Sequence, residues 1–362
     1  MKVQLIFIGN KFIYNESLQE YILRKVKQKF SFINSITYFK ESDNSLFLYL
    51  EKEINSDEKI IIITAKHNFS TVGKVICTVT SDNQVLKDSM LIPTKVSVYD
   101  DRSYLLEHGD AQINVLQMDE MQKMPQILLQ PLKDKDTIHL FEYSKDAALS
   151  VLNPLAQTFD VNVDALTLID GWLKIEVQSN KYGNISKFIK ASKEMLNENI
   201  VDASNIIVHI IDRLSKHNKK ITFAESCSGG LLSYYFVKEN GVSAILDGSL
   251  VTYSDFIKEN WLAVETQALK DYGAVSSEVV AQMSEGALNV SDADYALSIS
   301  GIAGDGGGSE LKPVGTVYVS VSSKTHQSQM HLQLDGDRNY IQQQSVLFAI
   351  KMLILIDKKT FF

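Results

Sequence analysis

Thirteen of the chain's eighteen glycines lie after residue 200; only Gly9, Gly73, Gly109, Gly171 and Gly183 come before it. Glycine is the residue that tolerates left-handed backbone and close approach by other groups. Tightly turned loops are therefore concentrated in the C-terminal part, and the N-terminal part must be built from ordinary strands and helices. With 362 residues, two to three domains are expected at roughly 100–200 residues each.

The N-terminal part carries the strand-like runs VQLIFIG, KIIIITA and KVICTVT, separated by helical stretches such as SLQEYILRKVKQKF, the order of a layered α/β domain. It is expected to end near residue 130, around Pro125 and Pro131. Residues 131–200 (DTIHLFEYSKDAALSVLNPLA, WLKIEVQS, KFIKASKEMLNEN) read as a small α+β module. From residue 201, Ile206, Ile207, Ile210, Ile211 and Leu214 recur at helical spacing. The runs ITFA, LVTY, YALSIS, VGTVYVSV and MHLQLD follow as strands, with helices such as SSEVVAQMSEGALNV between them, and VLFAIKMLILI reads as a core helix closing the domain. The fold class expected is α/β and multi-domain: a three-layer α/β/α N-terminal domain (1–130), the α+β module (131–200) and a three-layer α/β/α C-terminal domain (201–362).

Charge and cysteine content narrow the function classes. A net charge of −8 disfavours the phosphate grip that nucleic acid or an anionic membrane demands, so neither partner is expected. Cys77 and Cys227 form no CxxC pair, which gives no disulfide framework or thiolate zinc site. The apolar run in MKVQLIFIGN is too short for a signal-peptide core and reads as a buried strand. A cytoplasmic location is expected. No HExxH or spaced acidic cluster occurs in the C-terminal part, and neither a metal nor a cofactor is expected there.

Three stretches carry candidate chemistry. Glu225-Ser226-Cys227-Ser228-Gly229-Gly230 joins a strand to a helix, where free backbone N–H groups favour an anion; the same residues would equally make a helix cap. Ser300-Gly301-Ile302-Ala303-Gly304-Asp305-Gly306-Gly307-Gly308-Ser309 follows a strand and precedes another, so it is neither a Walker loop nor a dinucleotide fingerprint. It can wrap a ligand or simply connect strands. Between them, Tyr253 ends a strand and Lys258 follows at a helix start, with Ser243 ten residues upstream of Tyr253. A desolvated lysine beside a phenol could activate a serine for acyl transfer without histidine; packing, solvation and turn-capping are the alternatives. The four histidines of this part lie outside these loops. Arg338, opening the last helix, could clamp a phosphate or pair with a neighbouring aspartate.

The ordered set AESCSGG, LVTYSDFIK, GAVSSEVV, SGIAGDGGGSELKPVGTVYVSV and GDR resembles the C-terminal domain of the CinA family (competence/damage-inducible protein A), its nicotinamide-nucleotide amidase domain. The resemblance implies metal-free hydrolysis of the carboxamide of nicotinamide mononucleotide to nicotinic acid mononucleotide and ammonia, in a homodimer. It implies Ser243 as nucleophile activated by Tyr253 and Lys258. Substrate contacts are implied for Ser226, Ser228, Gly229, Gly230, Ser300, Gly301, Gly304, Gly306, Gly307 and Arg338. Asp305 replaces a usual proline, Asp255 a usual asparagine, and Gln342 a common second arginine, which implies weaker phosphate affinity. The alternative is a nucleotide-binding or regulatory protein without turnover. The N-terminal part resembles the family's molybdopterin-binding-like domain through IFIGN and Asn15. In place of that domain's glycine-rich loop and paired aspartates it has IIIITAKHNFS, so pyrophosphatase activity is not expected.

Overall fold

The computed structural model describes residues 3–30, 33–55, 59–131, 135–304 and 306–362. Asp305 thus lies outside the described residues. The chain divides into two compact units, residues 1–133 and 134–362.

In the first unit, strands Val3–Ile8 and Lys59–Thr64 are buried along their whole length, as expected of central parallel strands covered on both faces. They pair in parallel with each other, with Ser35–Phe39 on one side and with Ala111–Gln117 on the other. Ser103–His108 and Val96–Asp100 extend the sheet antiparallel. Alternate side chains build two cores. Leu5, Phe7, Ile61 and Ile63 meet Leu18, Ile22 and Val26 of helix Glu16–Lys29. Ile6, Ile8, Ile60 and Ile62 meet the helices Leu46–Ile54 and Lys66–Val79. The unit is a three-layer α/β/α structure.

One strand expectation fails here. KVICTVT forms the end of helix Lys66–Val79, followed by Thr80. β-branched residues favour strands, but Phe69, Val72, Gly73, Ile76 and Cys77 fall on one buried helical face, and burial of that stripe against the sheet outweighs the local preference.

The second unit contains two sheets. Strands Lys135–Phe141, Val161–Ile169, Trp172–Ser179 and Ile200–Asp202 make an antiparallel sheet, packed on helices Lys145–Thr158 and Ile185–Leu196. Phe141, Ile169, Trp172 and Val201 also join the core of the following domain. Lys351, which interrupts the apolar run near the C-terminus, is buried and donates from Nζ to the Asp170 carbonyl at 2.8 Å.

The other sheet positions the candidate site. Its strands are β1 (Ile221–Glu225), β2 (Leu246–Val251), β3 (Tyr295–Gly301), β4 (Thr316–Ser323) and β5 (Gln327–Gln333), in the order β2-β1-β3-β4-β5. The first three are parallel and the last two antiparallel. One face is covered by α1 (Ile206–Lys216), α2 (Leu231–Val237) and α6 (Arg338–Ile356). The other is covered by α3 (Asp255–Leu262), α4 (Thr266–Tyr272) and α5 (Ser277–Asn289). This too is a three-layer α/β/α arrangement. Sequence caps fix the helix starts: Asn205 accepts from Ile207 and Val208, Ser254 from Ile257 and Asp337 from Tyr340. Gly286 of α5 faces the Leu262 carbonyl so closely that any β-carbon would collide with it. That close crossing seats α3 on the sheet.

Candidate active site

Ligands of open α/β sheets bind outside the carboxyl ends of the strands, and there the chemistry-bearing residues gather. Parallel register sets Glu225 against Val251 and against Ile299, so the next positions, Thr252, Ser226 and Ser300, form a row across three strands. Backbone bonds continue the ladders: Thr252 N–H donates to Glu225 O at 2.8 Å, and Ser226 N–H to Ile299 O at 2.9 Å. Ser226 shares the sheet face of Ala224, which packs among α3–α5.

On that face Lys258 is only 1% exposed. Its Nζ donates to Ser226 Oγ at 3.2 Å and to the Tyr253 carbonyl at 3.1 Å. Desolvation by burial, opposed by the nearby Asp255 and Cys227, lowers the lysine pKa from its usual 10.5. A buried amine with lowered basicity next to a serine hydroxyl can accept that hydroxyl's proton.

Ser243, expected to be that nucleophile, is not brought to this site. It lies in the short helical turn Val242–Ala244 before β2 and is exposed. The strand that follows it, Leu246–Val251, is the one that leads to Tyr253. Its six residues span about 20 Å and carry Ser243 to the opposite edge of the sheet. Tyr253 meets Lys258 through its main-chain carbonyl. Its phenol is 61% exposed and accepts from Arg338 Nη2 at 3.1 Å.

The turn after Ser226 also differs from the anion cradle anticipated. Glu225 is fully buried and its carboxylate takes the α2 donors: Oε2 accepts from Ser228 Oγ at 2.8 Å, Gly230 N–H at 3.0 Å and Leu232 N–H at 3.0 Å, and Oε1 accepts from Ser233 N–H at 2.9 Å. The protein supplies its own anion there, so the Ser228 hydroxyl and the Gly230 N–H are not free for a substrate phosphate. Ser300 is likewise engaged, its Oγ donating to the Ala274 carbonyl at 2.6 Å. Gly229, at φ +60°, has open space where a β-carbon would stand. Burial pushes the Cys227 thiol up to about 12, which removes it as a thiolate nucleophile.

The glycine loop lies beside Arg338. Gly304 leaves no room for a β-carbon against the guanidinium, Gly301 packs on Val317, Gly307 is near Ile302, and Gly306 faces open space. Arg338, which donates to the Tyr253 phenol, also acts electrostatically on Cys227, the residue next to Ser226. Gln342 of α6 donates from Nε2 to the Cys227 carbonyl at 2.6 Å. Glu225 and Gln342 carried no weight as site-forming residues in the sequence, and Ser226 stood only as a substrate contact. The available signal was the pattern strand–Ser–turn–helix in ITFAESCSGGLL, which places a serine at the sheet's carboxyl edge.

Two clefts, of about 640 and 550 Å³, lie at the other end of this sheet. The first contains Lys219, but its Nζ is already bonded to Tyr295 Oη, Asp357 Oδ2 and Thr360 Oγ1 at 2.6–2.8 Å. No group of three or more metal-holding side chains occurs among the described residues, and no described helix is long and apolar enough to cross a membrane. In the first unit, Lys11 binds Asp119 and Glu120 beyond the carboxyl ends of Val3–Ile8 and Ala111–Gln117, with the Lys66 N–H also donating to Asp119.

Fold and site together define an α/β protein with a buried serine–lysine pair at the carboxyl edge of a mixed sheet. Residues 203–356 match the CinA C-terminal domain. The chain is 42% identical over 144 residues to a CinA-like protein of Fervidobacterium nodosum, covering 40% of this chain and 35% of that protein. It is 34% identical over 196 residues to a CinA-like protein of Thermosipho melanesiensis, covering 54% and 49%. Among solved structures, the competence/damage inducible protein CihA of Agrobacterium tumefaciens is 35% identical, with 42% of this chain and 93% of that chain covered and a TM-score of 0.41. The chain belongs to the CinA family. Its matches span between a third and a half of the length of these curated relatives.

Proposed function

We propose that the C-terminal domain hydrolyses the carboxamide of nicotinamide mononucleotide, with Ser226 as nucleophile and Lys258 as base. The observation that carries this reading is the 3.2 Å contact between Ser226 Oγ and the buried Lys258 Nζ. Neutral Lys258 takes the Ser226 hydroxyl proton as Oγ bonds to the amide carbon. The resulting ammonium returns that proton to the amide nitrogen, the C–N bond breaks, and ammonia leaves. Water then attacks the acyl ester, giving its proton to Lys258, which passes it to Ser226 Oγ as nicotinic acid mononucleotide departs. The oxyanion formed at each attack needs donors. Among the described residues, the Ser228 N–H has no protein acceptor and the Cys227 N–H meets only its own thiol; both directly follow the nucleophile. Arg338 and the exposed Gly306–Gly307 segment would hold the 5′-phosphate.

Ammonia release from nicotinamide mononucleotide by the full-length protein tests this. Ser226→Ala and Lys258→Met should each abolish it and Ser243→Ala should leave it intact. The second reading is a nucleotide-binding protein without turnover. Nucleotide binding with no ammonia supports that reading instead.

A further inference from the structure

Gln342 stands on the second turn of α6, half-buried, and is not needed for the helix's own caps or core. Its Nε2 donates to the Cys227 carbonyl at 2.6 Å. That carbonyl and the Ser228 N–H belong to one planar trans peptide, as no cis bond occurs among the described residues, and the two groups point in opposite directions. Holding the carbonyl toward α6 therefore turns the Ser228 N–H away from α6, toward the side of the sheet where Ser226 meets Lys258.

Apart from the Cys227 N–H, which meets only its own thiol, the other N–H groups of this turn are engaged: Ser226 donates to Ile299 O, Gly229 to Ser226 O and Gly230 to Glu225. The 227–228 peptide is followed by Gly229 and Gly230, both at positive φ. Its orientation is set by ψ of Cys227 and φ of Ser228, and the side chain that holds its carbonyl is Gln342.

On the reading that Ser226 is the nucleophile, we infer that Gln342 is a positioning residue that locks the Cys227–Ser228 peptide with its N–H facing the oxyanion. In the sequence this position suggested only a weaker hold on phosphate; the geometry directs its side chain to the turn.

The test uses the full-length protein with nicotinamide mononucleotide. Gln342→Met keeps the length and removes the donor, and Gln342→Lys restores a donor. Loss of an oxyanion donor costs about 10²–10³ in kcat; loss of its support should lower kcat by roughly 10–100-fold in Gln342→Met, with KM within about threefold, and Gln342→Lys should recover most of the rate. A substrate analogue bearing an aldehyde in place of the carboxamide forms an oxyanion adduct. Its affinity should fall by the same factor as kcat/KM, while affinity for nicotinic acid mononucleotide holds. A melting temperature equal to wild type excludes misfolding, and Gln342→Lys provides the folded comparison if Gln342→Met melts early. A rise in KM alone, or wild-type kcat in Gln342→Met, overturns the inference and leaves the Ser226–Lys258 reading standing. Wild-type protein that releases no ammonia overturns both.

Discussion

Replacing Glu225 by glutamine probes the turn that carries Ser226, because the substitution preserves shape and changes only donor and acceptor pattern. The carboxylate accepts four hydrogen bonds, three at Oε2 and one at Oε1. An amide must put an NH₂ group at one of these positions. The milder orientation keeps oxygen at the three-donor position and sets the NH₂ against the Ser233 N–H, donor to donor. That loses one charge-assisted bond of about 1.5–3 kcal/mol and weakens the remaining three to neutral strength. Removing a buried charge recovers part of this. The net destabilisation expected is about 2 kcal/mol, and Glu225→Ala, which leaves every donor unanswered, should cost about 3 kcal/mol or more. Trp172 and Trp261 are the chain's two tryptophans and both lie in the second unit, so urea unfolding followed by tryptophan fluorescence reports this unit. Glu225→Gln within about 0.5 kcal/mol of wild type, the scatter of an ordinary surface substitution, with undiminished ammonia release, would refute the claim that this carboxylate organises the turn.

Three further outcomes follow from the same geometry. Burial lowers the Lys258 pKa below its usual 10.5, and only the neutral amine accepts a proton; kcat/KM should rise with pH through one ionisation below that value, and a flat profile, or an equal rise in Lys258→Met, contradicts the assignment. Gly286→Ala forces a β-carbon onto the Leu262 carbonyl at the α3–α5 crossing; overpacking of this kind costs about 1–3 kcal/mol and should depress turnover by displacing α3, measurable by melting and ammonia assays together. In the first unit the Lys11 ammonium already pairs with Asp119 and Glu120, so the full-length protein should not cleave ADP-ribose with added Mg²⁺ or Mn²⁺; metal-dependent release of AMP contradicts this.

The layered fold was legible because its strands are short, strongly apolar and bounded by turn residues, and because Ile206 to Leu214 repeat at helical spacing. KVICTVT misled because composition favours a strand while the burial that decides the outcome is set by residues outside the run, Phe69 and Val72. Lys258 was legible from its place at a helix start. Its partner was not. Spacing along the chain shows that Ser243 precedes Tyr253 by ten residues, but not that a single strand joins them and separates them across the sheet. The Ser226–Lys258 contact joins residues 32 positions apart and depends on β1 lying beside β2 in parallel, a fact of topology. Glu225 was read as the first residue of a loop that could bind an anion or cap a helix; only its side-chain direction reveals that it is the anion.

Covalent capture tests the central assignment most directly. Trypsin cleavage after Lys220, Lys238 and Lys258 separates peptide 221–238, which contains Ser226, from peptide 239–258, which contains Ser243. Full-length protein quenched in acid during turnover of nicotinamide mononucleotide should yield the acyl-nucleotide mass on peptide 221–238 and none in Ser226→Ala. The same mass on peptide 239–258, or turnover that persists in Ser226→Ala, contradicts the account.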